Sequence, residues 1–342
     1  MVDDLQRERI LVTGAGGSIG SALALRLAGI AQRQLVLLES SESALFALHC
    51  KLAEATLPQI PKCILGSVLD SNFLEEVFEH HAPDIVFHAA AFKHVPLLEE
   101  YPLAAIENNV LGTKTLVSAA VAHGARLVLL STDKAVEPAS IMGATKRVAE
   151  CIVLGAGGTV LRLGNVLASS NSAAELFAEQ IASGGPLTIT DPAARRYFLT
   201  IEEAVDLLIA ASAEADRPVL LAPDLRSPQF ITDLARFMAR VLAPEREVSI
   251  EFTEPRPGDK ELEKLWSPDE TALAATAPGI LSIRSHLKIG AAFDRELDAL
   301  ERATRARDLP SALACLRSLV PDFTPSAALL ALARRSTSRV AP

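Results

Sequence analysis

At 342 residues the chain is long for one small core and short for two large ones, so one α/β domain carrying a lesser lobe is expected. With 49% hydrophobic residues it has ample material for a core, and a net charge of −9 with no Lys/Arg-rich block argues against a nucleic-acid partner. Cys50, Cys63, Cys151 and Cys315 form no C-x-x-C pair and none has a histidine at ligand spacing, which predicts reduced thiols and no metal site. The start, MVDDLQRER, lacks the layout of a secretory leader, and no apolar run approaches the ~18 residues needed to span a bilayer, so a cytoplasmic chain with no membrane segment is expected.

Along the first half, short aliphatic runs alternate with amphipathic stretches, the pattern of a parallel sheet wrapped by helices. Strands are predicted at 9–13, 34–38, 62–65, 85–88, 126–131 and 159–163, with a long helix over 102–123 that opens on proline and another over 140–154. Right-handed crossovers between six such strands make a doubly wound Rossmann sheet whose ligand sits at the carboxyl ends of the strands. After 163 the segments shorten and gain Pro, Gly and Ser, and helices are predicted at 201–213, 231–242, 293–308 and 311–319. The chain therefore divides into a dinucleotide-binding domain (1–163), a smaller substrate lobe with segments returning to the first domain (164–285) and a helical tail (286–342) whose last residues, STSRVAP, are expected to fray.

The first strand runs into T-G-A-G-G-S-I-G. Gly14 permits the tight turn, Gly17 lets the backbone approach a pyrophosphate, Gly20 lets helix and strand pack closely, and the helix opening at Ser18 and Ile19 offers free N–H groups to phosphate. Glu39 ends the second strand about 20 residues further on, where a carboxylate accepts hydrogen bonds from an adenosine ribose and repels a 2′-phosphate. No Arg or Lys follows it before Lys51, so NAD is expected in preference to NADP.

The spacing G-x-x-G-x-x-G resembles that of the extended short-chain dehydrogenase/reductases. Those enzymes carry Ser/Thr at the end of the fifth strand and Y-x-x-x-K on the next helix. Here STDKAVEPASIMGATKR puts Lys146 in the lysine position and Met142 in the tyrosine position, and a thioether can neither give nor take a proton. HAAAFKHVPLLEEYP, ENNVLGTKTL, STDKAVEPASIMGATKRVAE, LRLGNV, GGPLTITDPAARRYFLTIEEAV and PRPGDKELEKL follow in order. Together they resemble the capsular polysaccharide-biosynthesis branch of UDP-N-acetylglucosamine 4,6-dehydratases, whose long members carry Met within M-G-A-T-K. The resemblance runs from the first strand to LVPDFTP. Many long members also carry an N-terminal membrane region, which is not read in this chain.

The resemblance implies oxidation at C4 of a UDP-sugar, elimination of the C6 hydroxyl across C5–C6, and return of hydride to C6. It makes Lys134 the base at C5 and Asp133 the acid at the departing hydroxyl, for which Lys134 needs a lowered pKa and Asp133 a raised one, both expected from partial burial. Thr132 is placed to hydrogen-bond O4, and Lys146 to hold the nicotinamide ribose. Ala89, Ala90 and Asp70 are expected along the cofactor. Lys93, His94, Asn109, Asn165, Arg196 and Arg256 are expected around the sugar and its diphosphate, where a guanidinium suits a bidentate contact. The chain departs from the family at Ser67, which replaces the first acid of G-D-x-x-D, and in ASSNSAA, which has lost its glycines. Two other outcomes compete: a UDP-sugar 4-epimerase, and a non-catalytic NAD-binding scaffold. A homodimer or higher homo-oligomer is expected, paired through the helices at 102–123 and 140–154.

Overall fold

In a computed structural model, residues 5–30, 32–167, 169, 172–225, 227–275, 278–285 and 289–338 are described. The first half runs β1 (Arg9–Thr13), α1 (Ser18–Ala28), β2 (Gln34–Glu39), α2 (Glu42–Glu54), β3 (Lys62–Leu65), α3 (Ser71–His81) and β4 (Ile85–His88). Then come α4 (Val95–Glu100), α5 (Pro102–Ile106), a π-turn (Glu107–Leu111), α6 (Gly112–Ala122), β5 (Arg126–Thr132), a short 3-10 turn (Asp133–Ala135), α7 (Ile141–Gly155) and β6 (Thr159–Leu163). These strands pair in parallel in the order β3-β2-β1-β4-β5-β6, so the sheet is doubly wound with its switch point between β1 and β4. Both faces are covered. One carries α1 and α2 over Ile10, Val12 and Phe87, the other α3 and α5 to α7 over Leu11, Val86 and Leu129, which is why the strands read as unbroken aliphatic runs.

The second half contributes β7 (Asn165–Val166), α8 (Ala173–Ala182), β8 (Leu187–Ile189), β9 (Arg195–Arg196), β10 (Phe198–Leu199), α9 (Ile201–Ser212), β11 (Val219–Pro223), β12 (Gln229–Phe230), α10 (Ile231–Leu242), β13 (Ile250–Phe252), β14 (Thr271–Ala274) and β15 (Ile280–Arg284). Three of these extend the main sheet: β11 lies parallel to β6, β15 antiparallel to β11, and β14 antiparallel to β15. The smaller lobe has its own core, in which Phe177 and Ile181 of α8, Leu187 and Ile189 of β8 and Ala235 of α10 pack together.

Three helices close the chain: α11 (Ala291–Arg305), α12 (Leu309–Leu319) and α13 (Ala327–Ser338). The last was not predicted. Its apolar stretch is short, but it buries Leu329 and Ala333 against the main core, and the Ser326 hydroxyl bonds the buried Glu99 carboxylate while accepting from Leu329 N. The expected fraying is thus corrected for 336–338, which lie in α13; 339–342, and the expected boundary at 286, lie outside the described residues.

The helices expected to form a dimer face meet the chain's own tail. Leu297, Leu300, Leu313 and Leu316 of α11 and α12 join the same core as Leu116 and Val117 of α6 and Val148 and Ile152 of α7, and Lys114 of α6 pairs with Asp298 and Glu301 of α11 at 2.8 Å each. The chain's own tail thus packs against part of the surface that two copies were expected to share. No helix among the described residues is long and apolar enough to cross a membrane.

Candidate active site

The glycine loop lies at the switch point. Gly14 adopts φ +68°, and a Cβ there would lie 2.5 Å from the Ala90 amide nitrogen; one on Gly20 would lie 2.0 Å from the Gly14 carbonyl. Side chains at either place would force β1, β4 and α1 apart. Gly17 caps α1 in extended conformation with no side-chain cap, and Ser18 and Ile19 form the first turn, so this helix end has the form of an anion cradle. Glu39 has a second task besides the one expected of it. Its Oε2 accepts from Gly16 N at 3.0 Å and its Oε1 from Ser40 N and Ser41 N at 2.9 Å each, so it ties the glycine loop to the end of β2. Asp70 caps α3 by accepting from Phe73 N at 3.0 Å, and Ala89 N donates to Thr13 O at 3.0 Å.

Beneath the loop His88 is fully buried, its Nδ1 2.7 Å from Thr13 Oγ1 and its Nε2 3.0 Å from Thr113 Oγ1. Burial, with a smaller push from Lys146, lowers its pKa to about 3. An unfolded histidine takes its proton near 6.5, so between these values the unfolded chain binds more protons and stability falls as pH falls, by up to ~1.4 kcal/mol per pH unit. His88→Gln is expected to flatten this acid limb, read as the drop in Tm between pH 7 and pH 4. An unchanged drop would place the acid sensitivity elsewhere.

The fifth strand ends in the residues expected to carry the chemistry. Asp133 and Lys134 leave β5 in the 3-10 turn, and Gly143 lets α7 press against them, since a Cβ there would lie 2.2 Å from Lys134 O. Asp133 is wholly buried: its Oδ1 accepts from Thr132 Oγ1 at 2.9 Å and from Lys134 Nζ at 3.0 Å, while its Oδ2 has no hydrogen-bond partner among the described residues. Burial pushes Asp133 up and the nearby Glu263 charge adds to this, outweighing Lys134, so the carboxyl takes a proton more readily than a free aspartate does. This is the direction expected of a general acid.

Lys134 goes the other way, and this corrects the expectation of a lowered pKa. Burial alone would lower it, but Asp133 and Glu263 outweigh burial and hold the ammonium above its usual range. Its Nζ sits 3.0 Å from Asp133 Oδ1, 2.9 Å from Asn165 Oδ1 and 3.7 Å from Glu263 Oε1. Thr132 is likewise occupied, its hydroxyl donating to Asp133 and accepting from Lys134 N at 3.3 Å. Lys146 is the cation that burial does depress, to about 8, and its Nζ donates to Leu130 O at 2.7 Å. Met142 packs into the main core at 4% exposure, so its influence on the site is steric.

The remaining residues divide. Asn109 sits in the π-turn, which interrupts the helix predicted over 102–123. There it accepts from Phe92 N at 2.8 Å and donates to Phe92 O at 3.0 Å and Thr145 Oγ1 at 3.2 Å. It thereby fixes the loop carrying Lys93 and His94, both exposed and both lowered in pKa, chiefly by burial of the titrating groups. Arg196, expected at the diphosphate, is instead buried and donates to the carbonyls of Arg195 at 2.8 Å, Glu261 at 3.0 Å and Lys260 at 2.7 Å. Arg195 is the exposed member of that pair, stacked 4.1 Å over Phe230, and Arg256 is exposed with Asp259 at 3.6 Å.

Sequence reading missed Glu263 and Lys260, because two charges three apart read as a solvated face. It also missed Arg147, Glu150, Arg162 and Glu270, a buried cluster behind β5. Arg162 Nη2 lies 2.8 Å from Glu150 and its Nη1 2.7 Å from Glu270, while Arg147 reaches the same two carboxylates at 2.9 and 3.0 Å. Ser131 Oγ donates to Glu150 at 2.6 Å.

Residues 10–285 match the family described as polysaccharide biosynthesis protein. The chain belongs to this family. It is 39% identical over 279 residues to the capsular polysaccharide biosynthesis protein CapD of Staphylococcus aureus, covering 78% of this chain and 46% of that protein. It is 38% identical over 307 residues to the probable polysaccharide biosynthesis protein EpsC of Bacillus subtilis, covering 87% and 50%. The chain thus spans about half the length of these curated relatives. At 34% identity over 281 residues it also matches a protein named UDP-glucose 4-epimerase in Rickettsia massiliae, covering 78% of this chain and 79% of that one. Among solved structures, that of Pen from Bacillus thuringiensis superposes with a TM-score of 0.76 at 26% identity, covering 84% of this chain and 91% of Pen.

Proposed function

We propose that this member of the polysaccharide biosynthesis family is an NAD-dependent 4,6-dehydratase of a UDP-sugar, with UDP-N-acetylglucosamine as the first substrate to test and a UDP-4-keto-6-deoxy-HexNAc as product. The observation that carries the reading is the buried Asp133–Lys134 pair after β5, with one Asp133 oxygen unpartnered. Simple oxidation or epimerisation at C4 has no need of such an acid–base pair.

The glycine cradle, Glu39 and Lys146 fit a dinucleotide: two positions tolerate no side chain, an uncapped helix end faces phosphate, and a carboxylate stands where a ribose diol needs an acceptor. NAD supplies a hydride acceptor for C4 and a donor for C6. The protein's own groups move the protons. One proton passing across the 3.0 Å contact from Lys134 Nζ to Asp133 turns the ion pair into a neutral amine and a carboxylic acid, and the raised pKa of Asp133 prepares it to take that proton. With a ketone at C4, the amine takes the C5 proton and the C5–H electron pair forms the C5–C6 double bond. The C6–O bond breaks, and Asp133 gives its proton to the departing oxygen, which leaves as water.

Mass spectrometry of the purified protein incubated with UDP-N-acetylglucosamine and a panel of other UDP- and dTDP-sugars tests the reading. Loss of one water supports it. A product of unchanged mass would favour 4-epimerisation, which the name of the Rickettsia relative favours; no product with any sugar would leave a cofactor-binding scaffold. Denaturing the protein is expected to release NAD(H) rather than NADP(H). Glu39→Ala should weaken retention roughly ten- to a hundred-fold, the scale of losing charged hydrogen bonds, as read by titration of the cofactor. Predominant NADP(H) in the extract would refute the assignment of Glu39.

A further inference from the structure

Glu263 falls within the PRPGDKELEKL stretch but was given no role there, yet it is among the most buried carboxylates of the described residues, at 2% exposure. A carboxylate is kept in such a place only with cations beside it. It has two: Lys260 Nζ lies 2.6 Å from Oε2, an ion pair by distance, and Lys134 Nζ lies 3.7 Å from Oε1. Burial would raise its pKa, but Lys134 and Lys260 together pull it below the usual range, so the side chain stays ionised.

The segment holding Glu263 is clamped on both sides. Ahead of it, Arg196 grips the carbonyls of Lys260 and Glu261, and Arg195 N donates to Glu261 O at 2.8 Å. Behind it, buried Arg162 donates to Leu265 O at 3.0 Å. Lys260 is itself tied to Val136 O at 3.0 Å, next to the 3-10 turn of Asp133 and Lys134. Two guanidinium anchors on the six residues from Lys260 to Leu265 leave the carboxylate little freedom.

We propose that Glu263, braced by Lys260, is a positioning residue that holds Lys134 Nζ and stabilises the ammonium formed when that nitrogen takes a proton. Lys134 then has two hydrogen-bond acceptors, Asp133 and Asn165, and a third oxygen, of Glu263, at ion-pair distance, so the charge that appears during C5 proton removal meets a carboxylate already in place. Such prearranged charge costs no reorganisation during the step. The inference rests on the dehydratase reading for its chemistry but not for its test.

The charged groups facing Lys134 are Asp133, Glu263, Arg196 and, more remotely, Asp259. Removing only Glu263's charge should therefore lower the Lys134 titration midpoint by ~1–3 pH units, the scale for an opposite charge at this range. The measurement is NMR titration of protein labelled at lysine Cε, the Lys134 signal being assigned by its loss in Lys134→Met. Wild type is expected to stay protonated past pH 10, Glu263→Gln to titrate at lower pH, and Glu263→Asp to fall between them. If Glu263→Gln does not fold, the smaller shift in Glu263→Asp is the deciding value. A Lys134 midpoint unchanged in the folded variants overturns the proposal. Absence of any 4-keto product alongside a shifted midpoint would instead count against the dehydratase reading alone.

Discussion

Lys134→Ala is expected to fold and retain cofactor while forming 4-keto-6-deoxy product at least ~10²-fold more slowly than wild type, with Asp133→Asn close behind. Loss of a general acid or base costs ~10²–10⁴ in rate. Both residues lie in the 3-10 turn at the end of β5, away from the glycine loop, so cofactor retention should survive. Lys146→Ala should behave differently: on the proposed reading its Nζ, which donates to Leu130 O here, holds the ribose, so its loss should loosen the cofactor too. Met142→Tyr separates two accounts of the missing phenol. Met142 is buried and closely surrounded, so a tyrosine there is expected to be neutral or harmful through crowding, not to raise turnover. Single-turnover formation of the 4-keto product checks all four variants. Wild-type turnover in Lys134→Ala would overturn the assignment of the base.

Arg162→Met is expected to destabilise the fold by roughly 3–5 kcal/mol, the cost of removing one partner from a buried ion pair. Arg162 is wholly buried, donates four hydrogen bonds to Glu150 and Glu270, and holds Leu265 O besides. Without it, two carboxylates that it keeps ionised are left to Arg147; Glu270, for which burial alone would raise the pKa, is held at about 2 mainly by its hydrogen bonds with Arg162. Replacing Arg162 and Glu150 together with apolar residues should cost less than Arg162→Met alone, since Arg147 and Glu270 remain paired at 3.0 Å. The midpoint of urea unfolding measures both. A double variant less stable than the single one would show that the cluster stabilises beyond charge balance.

The cofactor half of the molecule was legible in the chain. The β1, β3, β4 and β6 ranges were anticipated residue for residue, and β2 and β5 to within one, because strands buried on both faces leave unbroken aliphatic runs. Gly14, Gly20, Glu39, Asp133, Lys134 and Lys146 could be picked out because each is tied to a local feature: a turn, a strand end, a helix start. What lies after residue 163 was harder to read. Strands of two or three residues such as β7, β8 and β9 show no period, and β14 and β15 owe their place to pairing with β11, which is distant in sequence.

Local sequence supplied the candidate residues for the chemistry, and tertiary packing decided their surroundings. The D-K pair announces an acid and a base, but the sign of the Lys134 shift depends on Glu263, 129 positions along the chain and brought within 3.7 Å by the folding of its segment over β5. Arg196 and Arg256 look alike as guanidinium groups in a motif; only the fold turns the first onto backbone carbonyls and leaves the second in solvent. In the same way α6 and α7 were expected to meet a partner subunit, and only the fold brings the chain's own α11 and α12 into the core they share. Burial and long-range charge are properties of the assembled core, and no window of sequence contains them.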